Sequence, residues 1–84
     1  MQITLKLFAS LTDFLPLALR AGNQMALQIA PTTTVLQILT QQQLPLHLVH
    51  LVLVNGHYVQ PADRATRTLS DGDVLAVWPP IAGG

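Results

Sequence analysis

The chain has no cysteine and no glutamate among its 84 residues, and only 10% of its residues are charged. Without cysteine there is no disulfide, no thiol nucleophile and no thiolate metal site. The basic residues Lys6, Arg20, Arg64 and Arg67 are scattered and balanced by aspartates, so the net charge is zero. That excludes the basic stripe by which proteins hold nucleic acid or anionic membrane. Before the last two residues glycine occurs singly, at Gly22, Gly56 and Gly72, which excludes a glycine-rich phosphate loop. Ser10 and Ser70 lack the Gly-x-Ser-x-Gly setting of an activated serine. The Met1-Gln2-Ile3 opening has no basic segment leading into an apolar block, so no secretion signal is expected. The apolar run over residues 44–54 contains Pro45, His47 and His50 and falls far short of the ~20 residues that span a bilayer. A soluble, cytoplasmic chain is expected.

The polar residues that remain do not assemble a catalytic centre. His47 and His50 are three apart at the expected start of a strand, a spacing that points them to opposite faces. With His57 they have no cysteine or glutamate to complete a metal site, and no metal is expected. Asp71 and Asp73 flank Gly72, a pattern of turn chemistry rather than of an acid–base pair. The chain is not expected to be an enzyme alone.

What the sequence has in quantity is apolar side chains, 50% of the total. A chain of this size forms one domain and buries about 60–65% of its unfolded surface. With few charges to cover the outside, an exposed apolar patch is expected, and such a patch marks a partner site.

Alternation organises the first third of the chain. Ile3, Leu5 and Leu7 alternate with Gln2, Thr4 and Lys6, which predicts a half-buried strand. Phe8 falls on the opposite face at its end, available to a partner. Leu11, Phe14, Leu15, Leu17 and Leu19 suit a short helical turn, limited by Pro16. After the Gly22-Asn23 turn, Met25, Leu27 and Ile29 predict a second strand paired with the first. One of Thr32, Thr33 and Thr34 is a candidate helix N-cap. Val35, Leu36, Ile38 and Leu39 then predict a helix over 34–43, which Pro45 stops. Residues 50–54 are apolar on both faces and predict a central strand. Asn55-Gly56 is a hairpin signal, with His57, Tyr58 and Val59 returning antiparallel. Residues 61–68 read as polar connection, Asp71-Gly72 as a turn, and residues 74–78 as the last strand. The order predicts an α+β fold, a mixed sheet of four to five strands crossed by one main helix.

The sequence closes on Trp78-Pro79-Pro80-Ile81-Ala82-Gly83-Gly84. Read as a chain end, two glycines leave the terminal carboxylate almost unshielded, as a group that must enter a narrow pocket requires. The prolines before it hold the segment extended and deny it helix or central-strand pairing. The residues after Trp78 reach roughly 18–20 Å in a polyproline-like form. A β-grasp-type domain over residues 1–78 and an extended reactive tail over 79–84 are expected. If the last strand is central, it launches that tail directly from the sheet.

The stretch from Asp71-Gly72-Asp73 through Val74-Leu75-Ala76-Val77-Trp78 to Pro79-Pro80-Ile81-Ala82-Gly83-Gly84 resembles the C-terminal signature of the MoaD/ThiS family. Val54-Asn55-Gly56 looks like that family's hairpin, and Leu7-Phe8-Ala9 is similar to the MoaD opening. Pro-Pro-Ile-Ala-Gly-Gly looks most like MoaD, the small subunit of molybdopterin synthase. The resemblance implies a ubiquitin-like β-grasp and a sulfur carrier. An adenylating enzyme of the ubiquitin-activating type (MoeB/ThiF-like) would use ATP and magnesium to activate the Gly84 carboxylate. A persulfide donor would then leave a thiocarboxylate there, for use by a MoaE-like large subunit or, in the ThiS branch, by thiazole synthase. No cofactor is expected on the chain itself. Gly84 would carry sulfur, Gly83 would provide slimness, and Pro79, Pro80, Ile81 and Ala82 would form the stiff insert. Phe8, Tyr58 and Trp78 are candidates for the docking surface, since aromatics dominate interface energetics. Phe8 and Trp78 match positions where MoaD proteins place aromatic residues against partners. The same chain end also suits a ubiquitin-like modifier joined to lysines through Gly84, and a plain interaction module with an idle tail is the third possibility.

Overall fold

Apolar residues, alternate in the first strand and continuous in the last, set the architecture. The computed structural model describes residues 1–81. Strands β1 (Gln2–Leu7), β2 (Gln24–Gln28), β3 (Leu51–Val54), β4 (His57–Tyr58) and β5 (Val74–Trp78) form one five-stranded sheet in the order β2-β1-β5-β3-β4. β1 and β5 run parallel, with Leu5 beside Leu75 and Leu7 beside Val77, and the other neighbours are antiparallel. The last strand is therefore the middle one. Residues 50–54 were expected to be central; the strand begins at Leu51 and lies second from the edge instead. Its second apolar face has a different cause, described below.

One helix, α1 (Val35–Gln41), lies against the sheet. Its Val35, Ile38 and Leu39 pack into a core with Ile3, Leu5, Leu7, Val52, Val54, Leu75 and Val77. The helix is shorter than the expected 34–43 but starts where a threonine cap was foreseen. Thr34 Oγ1 accepts from Gln37 N–H at 3.2 Å while the Gln37 side chain accepts from Thr34 N–H at 2.9 Å, a capping box. The other free amides of the first turn are also taken. Val35 N–H donates to the Arg67 carbonyl and Leu36 N–H to the Arg64 carbonyl, both at 2.8 Å.

The segment between β1 and β2 holds two 3-10 turns, Ala9–Phe14 and Leu17–Leu19, separated by Pro16. Leu11 and Leu15 are buried, whereas Phe14, Leu17 and Leu19 are exposed. The connection over 61–68 is not wholly polar surface, because Arg64 is only 9% exposed. Its Nη2 donates to the His50 carbonyl at 3.1 Å, and its Nε finds no partner among the described residues. His47 lies in a 3-10 turn (Leu46–Leu48), not at a strand start, and with His50 it is exposed.

The two turns flagged in the sequence lock together. Asn55 and Gly56 both take positive φ, 50° and 80°, as a tight hairpin of this kind requires. Asn55 Nδ2 donates to Asp73 Oδ1 and Val74 N–H donates to Asn55 Oδ1, each at 2.8 Å. Asp73 Oδ2 accepts from Ser70 N–H at 2.8 Å, and Asp71 Oδ1 accepts from Gln2 N–H at 2.8 Å. The hydrogen bond from Ser70 N–H, then that from Asn55, hold the Asp73 carboxyl below its ordinary 3.8. A mixed five-stranded sheet with one main helix on one face is the ubiquitin-like β-grasp that the resemblance implied.

Two measurements test this account. Thr34→Ala should cost about 1 kcal/mol, lowering Tm by roughly 4–8 °C in a thermal melt. A carboxylate with a lowered folded pKa stabilises above its unfolded value and loses that contribution as pH falls through the folded one. Denaturant titrations should therefore show Asp73→Ala weaker than the parent at pH 7, with the gap closing below about pH 3.8.

Candidate functional site

The pleat sends alternate residues of the inner strands away from the helix. Register then groups them on the open face. Phe8 follows Leu7 and Trp78 follows Val77 in the parallel β1–β5 pair, so the two aromatics lie side by side. Their rings stack with centroids 4.1 Å apart and planes 4° from parallel. Trp78 stands opposite Leu51, and Ala76 opposite Leu53. Leu53 in turn stands opposite Tyr58.

The result is an apolar surface running from Phe8 through Trp78 to Leu51, with Ala76, Leu53 and Tyr58 in the adjoining row. Phe8, Trp78, Leu51 and Leu53 are half-buried and Tyr58 is exposed. Neither Phe8 nor Trp78 belongs to the cluster under the helix. Tyr58 shares the face but sits on the edge strand, across from Leu53 and apart from the stacked pair. Leu51, Leu53 and Ala76 complete the surface and were not among the expected docking residues. Their signal was present in the two-faced apolar pattern of residues 50–54, which equally suits a central strand.

This surface leads to the tail. His50 N–H donates to the Trp78 carbonyl at 2.9 Å, and Arg64 holds the carbonyl of the same His50. The sheet pairing stops there, since Pro79 and Pro80 have no N–H to continue it. Pro79 is half-buried, and Pro80 and Ile81 are exposed. The tail thus starts in the middle of the sheet, next to the aromatic stack. Ala82, Gly83 and Gly84 lie outside the described residues.

Among the described residues, no group of three histidine, aspartate or glutamate side chains gathers to hold a metal. Asp71 and Asp73 are both engaged with backbone amides. Among the described residues, no helix is long and apolar enough to cross a membrane.

Comparison with solved structures bears on the fold. The HVO 2177 protein of Haloferax volcanii superposes with a TM-score of 0.76 at 26% identity, covering 100% of this chain and 87% of that one. SAMP1 of the same organism gives a TM-score of 0.68 at 22% identity, with 100% of each chain covered. A chain in the complex of subunits 1 and 2 of the molybdopterin-converting factor from Helicobacter pylori gives 0.59 at 19% identity, again with 100% of each covered. Among curated protein sequences none matches the chain. The sequence profile of the ThiS family matches residues 5–84, from the first strand to the terminal glycines. The chain belongs to the ThiS family.

Proposed function

We propose that the chain is a sulfur carrier whose C-terminal Gly84 bears the sulfur as a thiocarboxylate. The observation that carries this reading is the placement of Pro79, Pro80 and Ile81, the described start of the tail. They leave the central strand beside an uncovered apolar face, so docking of that face would direct the tail into a partner. A carboxylate is a poor acyl donor until it acquires a leaving group. A ubiquitin-activating-type enzyme supplies one by joining Gly84 to AMP, using ATP and magnesium and releasing pyrophosphate. The terminal sulfur of a persulfide then attacks the acyl carbon and AMP departs. A thiol cleaves the resulting S–S bond and frees the thiocarboxylate. The absence of cysteine suits the role, since no internal thiol can intercept the activated terminus.

The sequence Pro79-Pro80-Ile81-Ala82-Gly83-Gly84 supports molybdopterin synthesis as the destination, with a MoaE-like large subunit as the acceptor. The likeness to a Pyrococcus furiosus protein assigned as molybdopterin converting factor subunit 1 accords with a small-subunit role. In the ThiS branch the acceptor would be thiazole synthase. The likeness to SAMP1, whose name denotes a small archaeal modifier protein, keeps conjugation through Gly84 as the second reading.

Two experiments test the proposal. After incubation with an adenylating enzyme, ATP and a persulfide donor, intact mass spectrometry should show one oxygen-to-sulfur exchange. Deletion of Gly84 should abolish it. No gain in the parent chain would replace the carrier reading with a modifier or a plain interaction module, and lysine conjugates that require Gly84 would favour the modifier. Separately, Trp78→Ala should weaken binding to the large subunit by about 2 kcal/mol, roughly 30-fold, in calorimetry. Circular dichroism of that variant should remain native, because the ring lies outside the core.

A further inference from the structure

Among the described residues, no strand pairs with the outer edge of β2, and the edge is not part of the apolar face. Leu7 N–H donates to the Asn23 carbonyl at 3.0 Å and Ile29 N–H to the Met1 carbonyl at 2.9 Å. With Ile3 opposite Leu27 and Leu5 opposite Met25, the odd-numbered residues of this segment bond to β1. The N–H and C=O groups of Gln24, Ala26 and Gln28 therefore point away from the sheet. All three residues are exposed. Such edges are ordinarily blunted by charge, proline, a bulge or brevity. None applies here. No aspartate, glutamate, lysine or arginine lies between Arg20 and Asp63. Pro31 falls beyond the strand, and the register from Gln2↔Gln28 to Lys6↔Gln24 is unbroken. The opposite edge, β4, has only 2 residues and offers no comparable template.

β2 is also complementary to itself. Gln24-Met25-Ala26-Leu27-Gln28 has the same residue class in either direction about Ala26. We propose that β2 pairs antiparallel with β2 of a second copy of this chain, about a two-fold axis at Ala26. Ala26 then faces its equivalent, Gln24 faces the second copy's Gln28, and Met25 faces its Leu27. The amide side chains can exchange hydrogen bonds on the open face. Met25 and Leu27, half-buried at the margin of the core, gain apolar cover on the other. Without charges on the strand, like-charge repulsion does not oppose the pairing.

The axis runs normal to the sheet, so both aromatic surfaces lie on one side of a continuous double sheet. The two β5 strands stand about 24 Å apart, five strand spacings of ~4.8 Å, and the tails leave in opposite directions. Both docking surfaces stay open, and the proposal does not depend on the carrier reading. One strand pair falls below the ~1,000 Å² expected of a stable interface, so the dimer is weak and concentration-dependent.

Sedimentation of the full chain from about 10 μM to 1 mM tests this, with amide exchange measured at both ends of the range. The expected result is a reversible monomer–dimer equilibrium, with the Gln24, Ala26 and Gln28 amides exchanging more slowly in the concentrated sample. Ala26→Lys puts like charges together at the axis and should weaken association by at least ~10-fold. Gln24→Glu combined with Gln28→Lys sets opposite charges across the axis and should keep or strengthen it. Thermal melts establish that both variants fold. A monomer throughout, a dimer indifferent to Ala26→Lys, or a dimer abolished by Trp78→Ala instead would overturn the proposal. Should Ala26→Lys fail to fold, the exchange of the parent chain decides: unchanged rates at those amides overturn it equally.

Discussion

The parallel pairing of β1 with β5 is the contact on which the rest of the molecule depends. It joins the two ends of the sequence, and its register decides what stands beside what. Leu5 next to Leu75 and Leu7 next to Val77 make the centre of the core. One residue further, the same register brings Phe8 against Trp78 on the other face. The pairing that closes the domain thus also builds the aromatic stack and fixes the point from which the tail departs. A slip of one residue would turn every side chain to the opposite face, exposing the core and burying the stack.

One short helix covers one face of a five-stranded sheet, and the composition follows from that. The covered face takes the aliphatic residues of β1, β3 and β5. The other face has no layer over it; β1 is polar there, with Thr4 and Lys6, yet β3 and β5 remain apolar, at Leu51, Leu53, Ala76 and Trp78. With 10% charged residues, the chain sets only Lys6, beside Ala76, next to that surface on β1. This accords with a domain that spends part of its working life against a partner, and whose stability rests on what lies beneath the helix.

The loops are held by polar contacts at a few positions. Asn55 and Asp73, from turns distant in sequence, tie the hairpin to the start of the central strand through short hydrogen bonds. Arg64 ties the connection before β5 to His50, and through His50 to the carbonyl of Trp78. The base of the tail is therefore braced from the strand beside it. Asp71 and Asp73, whose pattern is that of a turn, accept from backbone amides there.

The sequence by itself determined the local elements and the point at which sheet pairing stops. Alternation at Ile3, Leu5 and Leu7 and at Met25, Leu27 and Ile29 specified strands, because a half-buried strand needs period two. The run of threonines before Val35 specified a cap, Asn55-Gly56 specified a hairpin, and Pro79-Pro80 specified where pairing stops. These depend on a residue and its near neighbours, and so they are readable in one dimension. Tertiary structure alone decided that β5 is central, that Leu51 and Leu53 face outward with Trp78, and that Arg64 is buried within a polar stretch. Those outcomes depend on which distant strand lies alongside. An apolar pattern on both faces is the same string whether the second face meets a helix or stands open to a partner.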